Sequence, residues 1–219
     1  MNDSLIARAM SDALIVQAEG IEPYVTEEIL AESHRRLADF LPPMFATAVA
    51  TDPVVRQWVK SLVDAAVAGM KFQHPVTRRG PSLVLAGKAG RGKTWQAWGA
   101  VRALAVSGVH CRWRVLGASQ LLASLRPRHG VDSEDVFSGL ESCEVLVIDD
   151  MGATKDSAWA SEVFDRLINT RYEWQRPTLI TTNVAPKLFE QEFGDRIASR
   201  LMAMATVVSF TGPDLRAQR

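Results

Sequence analysis

The 219-residue chain is expected to fold as an α/β protein with a parallel sheet, and three observations carry that expectation. From residue 80 onward, short apolar runs alternate with helical patterns, as in sheets whose strands are covered on both faces. One run, Ser82 to Ala86, leads straight into the glycine-rich segment Gly87-Lys88-Ala89-Gly90-Arg91-Gly92-Lys93-Thr94, and a helical pattern follows it at once. Another, Val145 to Ile148, ends in two carboxylates, Asp149 and Asp150.

In chain order, Leu5, Ile6, Ala9, Met10, Ala13 and Leu14 recur at helical spacing, which predicts a helix over 4–18, ended by Gly20 and Pro23. A second helix fits 26–40. Thr26 can cap it, Glu27 and Glu28 suit its positive end, and Arg35 and Arg36 suit its negative end. Leu41-Pro42-Pro43 is the expected boundary, because proline bars its predecessor from helix. The third helix is punctuated by Asp52 as cap, Pro53 as first residue and Gly69 as stop, with Val55, Trp58, Leu62 and Val63 facing inward. Beyond it the expected elements are strands at 82–86, 110–116, 145–148, 178–181 and 206–210, with helices over 95–107 and 157–174. That makes a five-stranded parallel sheet preceded by a short helical arm, residues 1–40, with the main domain in 41–219.

Hydrophobic residues make up 47% and charged residues 23%, which excludes wholesale disorder and fibrous composition. Cys111 and Cys143, the two cysteines, are far apart and the four histidines are scattered, so neither a disulfide scaffold nor a thiol–imidazole metal site is expected. There is no apolar run of membrane-spanning length and no signal-peptide pattern at the start, so the reading is of a cytoplasmic protein with no membrane partner. Lys and Arg total 25, as do Asp and Glu. That zero net charge argues against coating nucleic acid through bulk charge. The signs are unevenly spread: 1–40 holds three basic and eight acidic residues, a net of −5, and 41–219 holds 22 and 17, a net of +5. An acidic arm on a mildly basic body fits two separate jobs, or simply a solvated helical face.

The segment Gly87 to Thr94 matches G-x-x-x-x-G-K-[ST] in full. Glycines let backbone N–H groups turn inward around phosphates, and the following helix N-terminus adds its dipole. Lys93 is expected to reach the β- and γ-phosphates of ATP and the Thr94 hydroxyl to ligate Mg²⁺. Trp95 is the next residue of this nucleotide-binding segment, although Trp95 and Trp98 read as core rather than as base-stacking platforms. Standing alone, Asp149-Asp150 reads as a solvated turn before Gly152. After a phosphate loop it reads as a metal site, with Asp149 on Mg²⁺ and Asp150 orienting or deprotonating the attacking water. Aspartate is shorter than the more usual glutamate at the second position, which predicts slow turnover. Asn183, ending the strand Thr178 to Thr181, is the candidate to contact both γ-phosphate and water. Arg196 and Arg200 share a helical face; on spacing alone they read as surface cations or as a functional pair.

Together these residues resemble the DnaC/DnaI/IstB branch of AAA+ ATPases, the replicative helicase loaders and transposition helpers. The resemblance covers about 41–219. It rests on the phosphate loop, Leu146 to Gly152, Asn169-Thr170-Arg171-Tyr172, Pro177 to Asn183 and Arg196-Ile197-Ala198-Ser199-Arg200-Leu201. It implies an AAA+ core without a C-terminal lid, and ATP hydrolysis completed between self-associated subunits with Arg200 as the finger. Arg216 in the tail would sense bound nucleotide. It also implies a hexameric replicative DNA helicase and single-stranded DNA as partners. Residues Ala118 to His129 resemble the extra helix of initiator-type AAA+ proteins, with Arg126, Arg128 and His129, and Arg112 and Arg114 upstream, as a single-strand track or a solvated basic loop.

The leading expectation is therefore an ATP-dependent loader of the replicative helicase onto single-stranded DNA. The nearest alternative is an IstB-like transposition helper working on duplex DNA. From other classes, a phosphate-loop small-molecule kinase lacks here the arginine-rich lid such enzymes carry. A protein that uses nucleotide only to fold would not need both Asp150 and Asn183.

Overall fold

A computed structural model describes residues 27–70, 75–130, 132–152 and 158–215. The helix expected over 4–18, the Thr26 cap and Arg216 lie outside the described residues. The chain divides into two units, residues 1–78 with 95–111, and residues 79–94 with 112–219.

In the first unit, α1 (Glu27–Phe40) ends where Pro42 forbids helix at Leu41. Of its described side chains Leu37 is buried. A 3-10 turn over Pro43–Phe45 leads toward α2 (Pro53–Ala68), whose Asp52 carboxylate accepts from the Val54 and Val55 amides and so satisfies two orphan donors of the first turn. Val55, Trp58, Val59, Leu62, Val63 and Ala66 form its buried stripe. The helix α3 (Lys93–Val106) begins in the phosphate loop, and its later turns belong to this unit. There the Gln96 amide oxygen accepts from the Thr51 and Asp52 amides at 2.9 and 3.1 Å, and the Arg102 guanidinium donates to the Ala48 carbonyl. Phe45 stacks on Trp98 and meets Trp95 edge-on, with ring centroids 5.8 and 6.3 Å apart. Trp98 is buried in this aromatic cluster, as expected of a core residue, whereas Trp95 is only partly buried.

The second unit is built on five parallel strands, β1 (Ser82–Ala86), β2 (Trp113–Gly117), β3 (Val145–Met151), β4 (Thr178–Thr182) and β5 (Ala205–Ser209), in the order β2-β3-β4-β1-β5. The helices between them are α4 (Ala118–Leu125), α5 (Ser133–Ser142), α6 (Ala158–Glu173), α7 (Phe189–Phe193) and α8 (Asp195–Met204). Side chains of α4, α5, α6 and α8, among them Leu121, Leu140, Leu167, Ile168 and Leu201, close over Val84, Leu146, Ile148 and Ile180 in one apolar core. Among the described residues no helix is long and apolar enough to cross a membrane.

Two strand limits differ from expectation by more than one residue, for physical reasons. The strand expected from His110 starts at Trp113: the Arg112 amide donates to the Glu144 carboxylate at 2.8 Å instead of joining a ladder, and His110 forms only an isolated bridge with Val76. The strand expected to end at Ile148 runs to Met151 with one residue more than β4 opposite it, a bulge at Asp149-Asp150. The topology also places β4 between β1 and β3. Side chains at the carboxyl end of β4 therefore stand between the phosphate loop and the two carboxylates.

Candidate functional site

The loop that leaves β1 has Gly87, Gly90 and Gly92 at φ of 146, 77 and 83°, a region that side chains rarely enter. Two of these positions are also crowded. A β-carbon on Gly87 would collide with the Phe210 carbonyl, and one on Gly90 would fall within the Asp214 carboxylate. The Leu215 amide donates to the Gly90 carbonyl at 2.9 Å, so the segment after β5 lies directly along the loop.

Lys93 is only 7% exposed. Its Nζ donates to the Gly87 carbonyl at 2.6 Å, the Lys88 carbonyl at 2.9 Å and Asn183 Oδ1 at 2.9 Å. The Thr94 hydroxyl donates to Asp149 Oδ1 at 2.9 Å, and the Thr181 hydroxyl donates to the same oxygen at 2.6 Å. Both donors fall on Oδ1 of Asp149. Asp150 occupies the bulge at φ 56°, a left-handed conformation that aspartate tolerates better than most residues. Its amide donates to the Thr181 hydroxyl at 2.9 Å and its carboxylate accepts from Asn183 Nδ2 at 2.6 Å. Asn183 thereby links the lysine to the second carboxylate.

The site holds one ammonium and two carboxylates, a deficit of positive charge in a set of hydroxyl and carboxylate oxygens. That donor chemistry suits a hard divalent cation such as Mg²⁺. The positive-φ glycines at the start of α3 suit a polyphosphate. The residues present fit both groups.

Of the residues singled out from the sequence, Gly87, Lys88, Lys93, Thr94, Asp149, Asp150 and Asn183 meet in this network, and Gly90 bonds to Leu215 instead. Ala89 is exposed on the loop, and the Nη1 of Arg91 is buried without a hydrogen bond among the described residues. Trp95 turns its ring to Phe45. Arg200 has its recorded partners elsewhere: Asp165 at 3.6 Å and the Arg196 carbonyl at 3.2 Å. Arg126, Arg128 and His129 follow α4 on an exposed loop, with Arg126 over the Trp159 ring at 5.9 Å. Arg112, expected beside them, instead gives its charge to Glu144 at 2.9 Å, and Arg114 leans over Gly139 of α5.

Two residues were missed. Thr181 clamps both acidic positions, and its place one strand from Asp149, at the carboxyl end of a strand, was the available signal. Asp165 pairs with both arginines of α8, and nothing in its local sequence marks it.

A family model described as IstB-like ATP binding protein matches residues 47–219, and the chain belongs to that family. The replicative helicase loader DnaC of Escherichia coli strain K12 is 22% identical over 123 residues, 55% of this chain and 49% of DnaC. The chain spans about half the length of the curated relatives it matches. A crystal structure of DnaI superposes with a TM-score of 0.61 at 22% identity, covering 81% of this chain and 95% of DnaI. The crystal structure of the DnaC helicase loader gives 0.61 at 20%, covering 78% and 100%. AMPPCP-bound DnaA from Aquifex aeolicus gives 0.60 at 18%, covering 81% and 54%. The five-stranded sheet with its helices is the α/β AAA+ fold.

Proposed function

From that membership, we propose that the protein is an Mg²⁺-dependent ATP hydrolase that loads a hexameric replicative DNA helicase onto single-stranded DNA. The observation that carries the hydrolytic part is the continuous chain Lys93–Asn183–Asp150 beside Thr94–Asp149–Thr181. In it the lysine suited to the phosphates and the carboxylate suited to the water share one amide. A site built only to hold nucleotide has no use for that link.

In this reading Lys93 exchanges its loop-carbonyl bonds for the β- and γ-phosphate oxygens. The loop amides and the α3 N-terminus bind the rest of the polyphosphate. Thr94 and Asp149 hold Mg²⁺, which when bound neutralises developing charge on the phosphates. Thr181 keeps Asp149 aimed. Asp150 accepts a hydrogen bond from the attacking water and holds or removes its proton, while Asn183 orients Asp150. Arg200 completes the site of a neighbouring subunit, and Arg216 senses the nucleotide. Residues 1–40, with their net charge of −5, form the arm that grips the helicase, and 41–219 form the ATPase. The match to DnaC supports the helicase as partner.

The test has two arms. The chain should hydrolyse ATP, and Asp150→Asn should keep ATP affinity while turnover falls about 10²-fold or more; affinity and turnover falling together would make Asp150 structural. With ATP, the chain should retain a purified hexameric helicase, and deleting 1–40 should abolish retention without loss of ATP binding. A soluble truncated chain that still holds the helicase overturns the division of labour. A second reading, the IstB-like transposition helper expected as the nearest alternative, is supported by a family description that is IstB-like. A clear preference for duplex over single-stranded DNA would select it.

A further inference from the structure

The acidic side chain beside the arginines of α8 differs in geometry from the closed Arg166–Glu134 and Arg112–Glu144 pairs, and it shares its open spacing with Arg166 Nε and Glu141 at 3.7 Å. Asp165 lies on α6, and the two arginines approach different oxygens of its carboxylate: Arg200 Nη1 at 3.6 Å from Oδ1, Arg196 Nη1 at 3.9 Å from Oδ2. Both separations exceed hydrogen-bond range. Asp165 Oδ1 is buried and accepts no hydrogen bond among the described residues. The next residue on the same helix, Arg166, makes the contrast. It grips Glu134 with two hydrogen bonds of 2.9 Å and lies 4.0 Å over the Phe137 ring. The Arg112 pair with Glu144 is equally closed, at 2.9 Å. A closed bidentate pair fixes its arginine. A pair at 3.6 Å with a bare buried oxygen attracts the guanidinium without taking its donors.

The two arginines also differ. The side chain of Arg200 is 27% exposed and its Nη1 donates to the Arg196 carbonyl one turn back, whereas that of Arg196 is 81% exposed. The geometry points to Asp165 as the positioning residue for Arg200: it holds the guanidinium loosely beside α8 and ready to leave, and Arg196 is the spare counter-ion. When Arg200 moves to a phosphate, a half-buried carboxylate is left needing charge, and Arg196 already stands within 4 Å of its other oxygen. One carboxylate with two arginines keeps its neutralisation through the exchange. This rests on the proposal that Arg200 acts on ATP held by a neighbouring subunit. It adds the residue that readies it and a separate role for Arg196.

The test uses the full chain with Arg200→Ala, Asp165→Asn, their double variant and Asp165→Glu. Arg200→Ala should lower kcat about 10³-fold. Asp165→Asn should lower it about tenfold with KM unchanged within twofold, and the double variant should match Arg200→Ala alone, because residues acting through one another do not add. Asp165→Glu should recover most of the loss, and Arg196→Ala should cost less than about threefold. A readout apart from turnover is self-association driven by a non-hydrolysable ATP analogue, followed by sedimentation velocity; Asp165→Asn and Arg200→Ala should shift its midpoint in the same direction. A double variant a further tenfold below Arg200→Ala, or a melting temperature and KM that move together with kcat, would overturn the positioning role. Full turnover in Arg200→Ala removes the finger and this inference with it. A tenfold loss in Asp165→Asn beside a harmless Arg200→Ala would place the action of Asp165 elsewhere.

Discussion

A buried cation stands at each end of β4, and the two are bound in opposite ways. At the amino end, Arg171 is fully buried. Its Nε donates to Thr178 Oγ1 at 2.8 Å, its Nη1 to the carbonyls of Leu140 and Cys143 at 2.9 and 3.0 Å, and its Nη2 to that of Pro177 at 2.6 Å. Leu140 belongs to the last turn of α5, whose carbonyls have no intrahelical donor. The guanidinium caps that helix and ties it to the starts of β3 and β4. At the carboxyl end, Lys93 also spends its donors on two carbonyls and a side chain. Those carbonyls belong to a glycine-rich loop, and phosphate oxygens can replace them without leaving a buried group bare. Burial alone does not separate a structural cation from a working one. Whether its partners can be exchanged does.

That contrast breaks most visibly at Arg171. Arg171→Met keeps volume and apolar stem but strands several buried acceptors at about 1–3 kcal/mol each. A loss of about 4 kcal/mol and about 10 °C in melting temperature is expected, read by urea and thermal unfolding. A stable Arg171→Met chain would mean that water satisfies those carbonyls. Lys93→Ala should do the reverse, with stability within about 1 kcal/mol of the parent and ATP turnover down about 10²-fold or more. Turnover within twofold of the parent would falsify the phosphate-loop reading.

The threonines of the same strand sharpen the comparison on a smaller scale. Thr178→Val removes the acceptor of Arg171 Nε and should cost about 1–2 kcal/mol without changing the response to Mg²⁺. Thr181→Val removes the clamp on Asp149 and the acceptor of the Asp150 amide. The Mg²⁺ concentration for half-maximal binding of a fluorescent ATP analogue should rise at least about tenfold, the usual scale for residues that orient a metal ligand. Equal Mg²⁺ dependence in the two variants would show that Thr94 alone orients Asp149.

Much of this end of the molecule was legible in the sequence because its constraints are local. A phosphate loop needs its glycines and lysine at fixed spacing, and β1 at Ser82–Ala86 and α2 after Asp52-Pro53 carry their own punctuation. What escaped depends on contacts between distant segments. Thr181 acquires its role because β4 is inserted between β1 and β3. The bulge at Asp150 exists because Thr181 takes an amide that a regular ladder would have paired. The start of β2 was misplaced because Glu144, 32 residues away, captures the Arg112 amide. The short helix α7 and the α5 segment with its Asp132 cap were not singled out, since neither carries a long apolar stripe. From the sequence Arg171 reads only as part of a family motif, and its burial follows from the Thr178 hydroxyl and the carbonyls of Leu140, Glu141, Cys143 and Pro177, brought together by the fold.

Cys143 gives the smallest effect and the finest probe of the Arg171 end. It is buried, its Sγ donates to the Leu140 carbonyl at 3.4 Å, and Arg171 Nη1 lies 3.6 Å from the sulfur. Burial pushes its pKa above the ordinary 9.0, and the nearby Arg171 charge pulls the other way without winning. A folded-state pKa raised above the unfolded one means the associated stability is complete below about pH 9 and is lost as pH climbs through the folded value. At pH 8 the thiol is therefore protonated as well as covered. In a Cys111→Ala chain, a disulfide reagent at pH 8 should label Cys143 only as fast as the protein opens, and added denaturant should speed labelling. Arg171→Met should speed it too, by the same factor as its loss in stability if opening is global. Rapid native-state labelling in the parent would show that the amino end of β4 opens on its own, and the contrast between its two cations would then lie in local dynamics rather than in their partners.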